Sequence, residues 1–241
     1  MYGAVSTAHV RIEHDAAAVA YASAHAFWRL ADSVLAAKPV FRAALAGGHT
    51  PASMYHEIVR QRPTGDTWRH IEFFFGDERC VPPDNADSNY RMAKAALFDH
   101  VPLSTSQIHR MRGEQRPIEA AATSYEREIG GEALDLVLLG VGSDGHTASL
   151  FPGTPALAET SRWVLATHAP PGNAVRERLT ITIPCIAQAR EAWFLVTGAD
   201  KARIVAQIHG EGERSMLPAA MVRAPRVVWF LDRSAGAALT A

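Results

Sequence analysis

Asp144 and His146 stand two residues apart, flanked by Gly140, Gly142 and Gly145, directly behind the apolar run 134–139. An ordinary imidazole titrates near ~6.5, so it accepts and returns a proton at neutral pH. A carboxylate two residues away can orient the ring or raise its basicity. A short apolar run ending in glycines predicts a buried strand that delivers a loop. Open α/β sheets place their chemistry at the carboxyl ends of such strands. His146 is therefore the candidate general base and Asp144 its candidate assistant. The remaining ten histidines, including His49, are assigned no catalytic role, because none shares that setting.

Two more glycine-containing loops follow predicted strands. Ala46-Gly47-Gly48-His49-Thr50-Pro51 offers backbone N–H groups, a Thr50 hydroxyl and a helix start, which suit an anion such as phosphate. It is neither a Walker A nor a GxGxxG pattern, and a plain tight turn into a helix explains it equally well. The other loop opens Gly76-Asp77-Glu78-Arg79-Cys80 behind the very apolar Phe73-Phe74-Phe75. Charges at the end of a buried strand pair with one another or with a ligand. Arg79, a permanently charged fork-shaped donor, is the candidate for stabilising an oxyanion, with Asp77 beside it. Cys80 has no activating base in any recognisable motif and reads as a small buried residue. Arg178 opens a strand and Lys201 opens a helix. Either could meet a phosphate dianion or lie on ordinary surface.

These residues need a scaffold that brings strand ends together. The pattern predicts a helix over 15–37 with Asp15 as N-cap and strands at 40–45 and 70–75. It continues with a helix from Ser88 or Asn89 to about 98, a short strand at 107–111 and a helix over 117–129. The strand at 134–139 follows, then strands at 163–168, 178–183 and 192–197. A helix over 199–209 and a last strand at 226–231 complete the reading; 216–222 is ambiguous. Strands alternate with helices nearly throughout, so the expected fold is α/β: a mostly parallel sheet flanked by helices. With no repeat or long linker, residues 1–241 are expected to form one domain.

Bulk properties narrow the function classes. Apolar content of 48% and charged content of 20% allow a sizeable core. A formal charge of -1 gives no support to nucleic-acid or acidic-lipid binding. Cys80 and Cys185 lie far apart with no metal-ligand spacing, which argues against a disulfide scaffold and a zinc site. No stretch approaches the ~20 apolar residues of a membrane helix. The expectation is a cytoplasmic protein with no membrane or nucleic-acid partner; nothing in the sequence specifies an oligomeric state.

Several motifs occur together and in order: AGGHTP (46–51), DERCVP (77–82) with DSN (87–89), GSDGHTASLFP (142–152), RLTIT (178–182) and GADKA (198–202). In these the chain resembles the 6-phosphogluconolactonase family. His49 stands where the family commonly has Ser or Arg, and Ser143 where it often has Pro. The glycines and the acid–His pair are intact. The resemblance implies a modified Rossmann-like fold of the glucosamine-6-phosphate deaminase/ribose-5-phosphate isomerase type and no cofactor or metal. It implies a sugar phosphate lactone as partner, with 6-phospho-D-glucono-1,5-lactone hydrolysed in the oxidative pentose phosphate pathway. His146 would be the base, assisted by Asp144, with Arg79 and Asp77 beside the lactone. Gly47, Gly48, Thr50, Arg178 and Lys201 would hold the phosphate.

A sugar-phosphate isomerase or deaminase on the same fold is the nearest rival. Its loop carries an acid a few residues after the His, whereas here Thr147-Ala148-Ser149-Leu150-Phe151-Pro152 follows. A non-catalytic sugar-phosphate sensor would carry an attached DNA-binding helix pair, for which the region before the first long helix leaves no room.

Overall fold

The computed structural model describes residues 8–62, 64–210 and 216–239. In chain order the strands are β1 His9–Glu13, β2 Phe41–Leu45, β3 Ile71–Phe75, β4 Asp77–Arg79, β5 Leu136–Leu139, β6 Val164–His168, β7 Glu177–Ile181, β8 Glu191–Val196 and β9 Arg226–Asp232. The helices are α1 Ala16–Leu35, α2 His49–Gln61, α3 Asn89–Ala96, α4 Ile118–Ile129, α5 Ile183–Gln188, α6 Ala202–His209 and α7 Pro218–Met221.

Six strands form a wholly parallel sheet in the order β1-β9-β8-β5-β2-β3. Every residue of β2, β5 and β8 is buried, as expected for central strands covered on both faces. α1 begins where Asp15 accepts a hydrogen bond from the Ala18 amide at 2.9 Å, and it buries Val19, Ala24, Phe27, Ala31 and Val34. Phe27 meets Phe41 edge-on and stacks on Phe73. Each such buried ring contributes on the order of 1.5–3 kcal/mol, so this helix is fixed to the sheet by its apolar stripe.

A second, three-stranded antiparallel sheet has the order β4-β7-β6. The expected strands 163–168 and 178–183 fall here and pair antiparallel, while the mostly parallel expectation holds in the six-stranded sheet. The connection between β6 and β7 carries no helix, and a parallel pair needs a crossover. The second strand also ends at Ile181, since Thr182 caps α5 by accepting from the Cys185 amide. Residues 77–79, expected in a loop, form β4. The chain passes between the sheets at Gly76, whose amide donates to Leu45 O and whose carbonyl accepts from the Ile181 amide, each at 2.8 Å.

Three further differences are local. The strand expected at 107–111 is a 3-10 turn over Thr105–Gln107 followed by one parallel bridge, Phe73↔Ile108. β1 was not anticipated: it is a polar, exposed edge strand without an apolar run to announce it. Within 216–222, Pro218–Met221 forms the single turn α7.

Candidate active site

A cleft of about 360 Å³ opens where the carboxyl ends of β2, β5 and β8 meet the antiparallel sheet. Gly47, Gly48, Asp77, Arg79, His146, Arg178 and Lys201 all line it. Asp144 reaches it through His146. Thr50 is not among the lining residues; its hydroxyl pairs with the Thr197 hydroxyl at 2.8 Å and ties α2 to the end of β8.

The loop after β5 is built to hold one ring. His146 Nδ1 lies 2.6 Å from Asp144 Oδ1, and the His146 amide donates to the same oxygen at 3.1 Å. Burial pushes Asp144 up, but the His146 amide and ring outweigh it, and the carboxyl sits below its ordinary range. An ionised carboxylate only accepts, so Nδ1 carries the proton and Nε2 presents its lone pair. Phe151 backs the ring, centroid to centroid 4.6 Å. Gly142 is required by space: a Cβ there would lie 2.1 Å from His146 Cε1 and Nδ1. Thr147 closes the turn by donating from Oγ1 to Gly140 O at 2.9 Å.

The loop after β2 leads into α2 at Gly48, whose φ of 104° favours glycine. α2 has no side-chain cap, so its first N–H groups are free to meet an anion. Tyr55 braces the loop from beneath, donating to Ala46 O and accepting from the Ala46 amide. Burial holds its phenol far above the ordinary range.

β4 delivers the third group. The buried Asp77 accepts from Asn89 Nδ2 at 3.0 Å and from Ser149 Oγ at 2.7 Å, which links α3 to the His146 loop. Glu78 points the other way. Its carboxylate accepts from the Arg79, Asn89 and Tyr90 amides and the Ser88 hydroxyl, closing the N-terminus of α3. Burial nonetheless raises its pKa, because four donors do not fully replace water around a charge. Arg79 donates to Asp87 O, and Arg178 stands directly opposite it in the ladder. Both Nε atoms are buried without a partner among the described residues. Burial and the neighbouring Arg79 charge pull Arg178 below its ordinary value. Two half-desolvated guanidinium groups side by side are stabilised by an anion between them.

Cys80 is buried, which pushes its thiol up to about 11 and leaves no thiolate at neutral pH. Among the described residues, no group of three or more His, Cys, Asp or Glu is arranged for a metal ion, and no helix is long and apolar enough to cross a membrane.

Asn89, Ser149 and Asn173 also line the cleft, and the sequence reading gave them no role. Asn89 and Ser149 lay inside motifs already singled out. A Cβ on Gly47 would stand 2.0 Å from Asn89 Oδ1, so the two are adjacent across the cleft floor. Asn173 comes from the β6–β7 connection, whose Pro170-Pro171-Gly172 turn carried no sign of where it would fold.

Residues 14–229 match the family described as glucosamine-6-phosphate isomerases/6-phosphogluconolactonase. A 6-phosphogluconolactonase of Synechocystis is 40% identical over 80% of this chain and 82% of its own length. The crystal structure of 6-phosphogluconolactonase from Thermotoga maritima superposes with a TM-score of 0.83 at 29% identity, covering 94% of this chain and all of that one. A monomeric glucosamine-6-phosphate deaminase has the same fold, with a TM-score of 0.82 at 22% identity over 95% of this chain and 99% of that one.

Proposed function

This chain belongs to the glucosamine-6-phosphate isomerase/6-phosphogluconolactonase family, and we propose that it hydrolyses 6-phospho-D-glucono-1,5-lactone to 6-phosphogluconate, the lactone step of the oxidative pentose phosphate pathway. The observation that carries this reading is the Asp144–His146 pair, with Nδ1 committed to the carboxylate at 2.6 Å.

His146 Nε2 takes a proton from water as the oxygen attacks the lactone carbonyl. Asp144 holds the ring and offsets the charge of the imidazolium that forms. The developing oxyanion meets Arg79. Collapse of the tetrahedral intermediate breaks the bond to the ring oxygen, which leaves as the C5 hydroxyl after taking the proton back from His146. Asp77, fixed by Asn89 and Ser149, faces the sugar hydroxyls as an acceptor.

Gly47 and Gly48, the start of α2, Arg178 and Lys201 take the phosphate. Thr50 is left out of that group, since its hydroxyl is engaged with Thr197. Residues opposed on an antiparallel pair have Cα atoms about 4.5–5.5 Å apart. That spacing allows Arg178 to hold the phosphate while Arg79 reaches the carbonyl of the same six-carbon molecule. The lack of an acid between His146 and Pro152 favours water as nucleophile over the proton shuttling of an isomerase.

The test is the rate of lactone hydrolysis above the spontaneous background, with and without the 6-phosphate. Hydrolysis of the phosphorylated lactone, with a much higher kcat/KM than its unphosphorylated counterpart, is expected. Equal rates on both would remove the phosphate site. Thermal stabilisation by 6-phosphogluconate with no turnover would make the protein a sensor instead.

A further inference from the structure

A second concave site, of about 380 Å³, lies at the other end of the parallel sheet. It begins at Glu191 and Arg226, the first residues of β8 and β9, and is closed by Arg11 of β1 and by His25 and Arg29 of α1. It shares no lining residue with the cleft that holds His146.

Its composition is unlike the rest of a chain whose formal charge is -1. Arg11, Arg29, Arg190 and Arg226 line it against a single acid, Glu191. That acid is buried and already engaged. It accepts from Trp193 Nε1 at 2.7 Å and from Arg226 at 3.3 Å. Glu191 therefore anchors one arginine from the floor and leaves three cations on the walls. Arg11 lies over the Phe230 ring, 5.0 Å from its centroid, and forms an ion pair with Glu13 at 3.6 Å. Arg29 and Arg190 have no ion pair or hydrogen-bonded side-chain partner among the described residues. Such an excess of guanidinium groups around one cavity repels itself and is stabilised by a bound anion.

The positive field also ends at the rim. Arg60 and Arg62, at the C-terminal end of α2 beside His25 and Arg29, are held by Glu57 and by Asp32. An extended polyanion such as nucleic acid would need the stripe to continue, whereas a compact one fits a cavity of this size.

We propose that this cleft binds a small polyphosphate anion, either free polyphosphate or the triphosphate tail of a nucleotide. Guanidinium forks match phosphate oxygens two at a time, and four arginines less Glu191 leave the lining a net charge of +3, more than a single phosphate dianion neutralises.

The test is titration calorimetry with sodium triphosphate at constant ionic strength. One saturable site is expected, and it persists in Arg178→Gln, whose change lies in the other cleft. In Arg29→Gln/Arg190→Gln, two exposed positions where the fold should hold, affinity falls at least about 10-fold. A melting temperature equal to that of the unaltered protein checks that this double variant is folded. ATP binding as tightly as triphosphate assigns the tail of a nucleotide; weaker ATP binding assigns free polyphosphate. The proposal is overturned by no saturable heat, by unchanged affinity in the folded double variant, or by loss of binding in Arg178→Gln. Tighter binding of a single-stranded oligonucleotide than of triphosphate overturns it as well.

Discussion

The six-stranded sheet and the three-stranded sheet meet at the same cleft and equip it differently. The parallel sheet contributes loops: Gly47–Gly48 before α2, the His146 turn after β5, and Lys201 after β8. Its groups are backbone N–H donors, one imidazole and one ammonium, placed by turns that glycine makes possible. The antiparallel sheet contributes side chains from within strands, Asp77 and Arg79 on β4 and Arg178 on β7. Its charges are fixed by a ladder rather than by a turn. The proposed base thus depends on local turn geometry, and the two arginines proposed to meet anions, Arg79 and Arg178, depend on cross-strand register. A change to either sheet should fail in its own way.

The sharpest break is His146→Ala. General-base assistance is typically worth ~10²–10⁴ in rate, so kcat should fall by that factor with KM little altered. A near-normal kcat on the phosphorylated lactone would end the assignment. Gly142→Ala should come close to the same loss with His146 still present. A methyl group 2.1 Å from the ring atoms forces the imidazole out of place. A melting temperature near that of the unaltered protein would separate this local displacement from unfolding.

Arg178→Gln attacks the other sheet. A charged hydrogen bond contributes about 1.5–3 kcal/mol, so kcat/KM should drop roughly 10- to 100-fold. The loss should appear mainly in KM and only for the phosphorylated lactone. An equal loss on the unphosphorylated lactone would move Arg178 from the phosphate to the reacting end.

Asp144→Asn should be the mildest, about 10-fold in kcat, the lower end of what one charged hydrogen bond contributes. Asp144 sits below the usual carboxylate range, so it stays ionised wherever an imidazole titrates. Its charge offsets that of the imidazolium formed as water is deprotonated, so the loss should appear in kcat rather than in KM. The same depression means that the stability Asp144 contributes is present above 3.8 and is lost as pH falls through its folded value. An unchanged kcat in Asp144→Asn would detach Asp144 from the base.

Legibility differed between the two sheets for a physical reason. Residues 134–139 and 70–75 announce themselves as buried strands, because a strand covered on both faces is a continuous apolar run. Asp15, the start of α2 and the run to Ile129 were visible through capping and periodicity. β4 was not: Asp77-Glu78-Arg79 is a charged tripeptide that becomes a strand only because β7 pairs with it. The neighbourhood of Arg79 and Arg178, ninety-nine residues apart in number, exists only through that pairing.

By itself, then, the sequence determined the buried strands, the glycine turns and the Asp144–His146 spacing, since each is written in a pattern of near neighbours in the chain. Tertiary structure alone decided the rest. It turned Thr50 away to Thr197, joined Asp77 to Ser149 and Asn89, set Arg178 opposite Arg79, and gathered four arginines beside α1. These are contacts between strands and helices distant in sequence, and no local pattern encodes a register or a partner that the chain reaches only after it has folded.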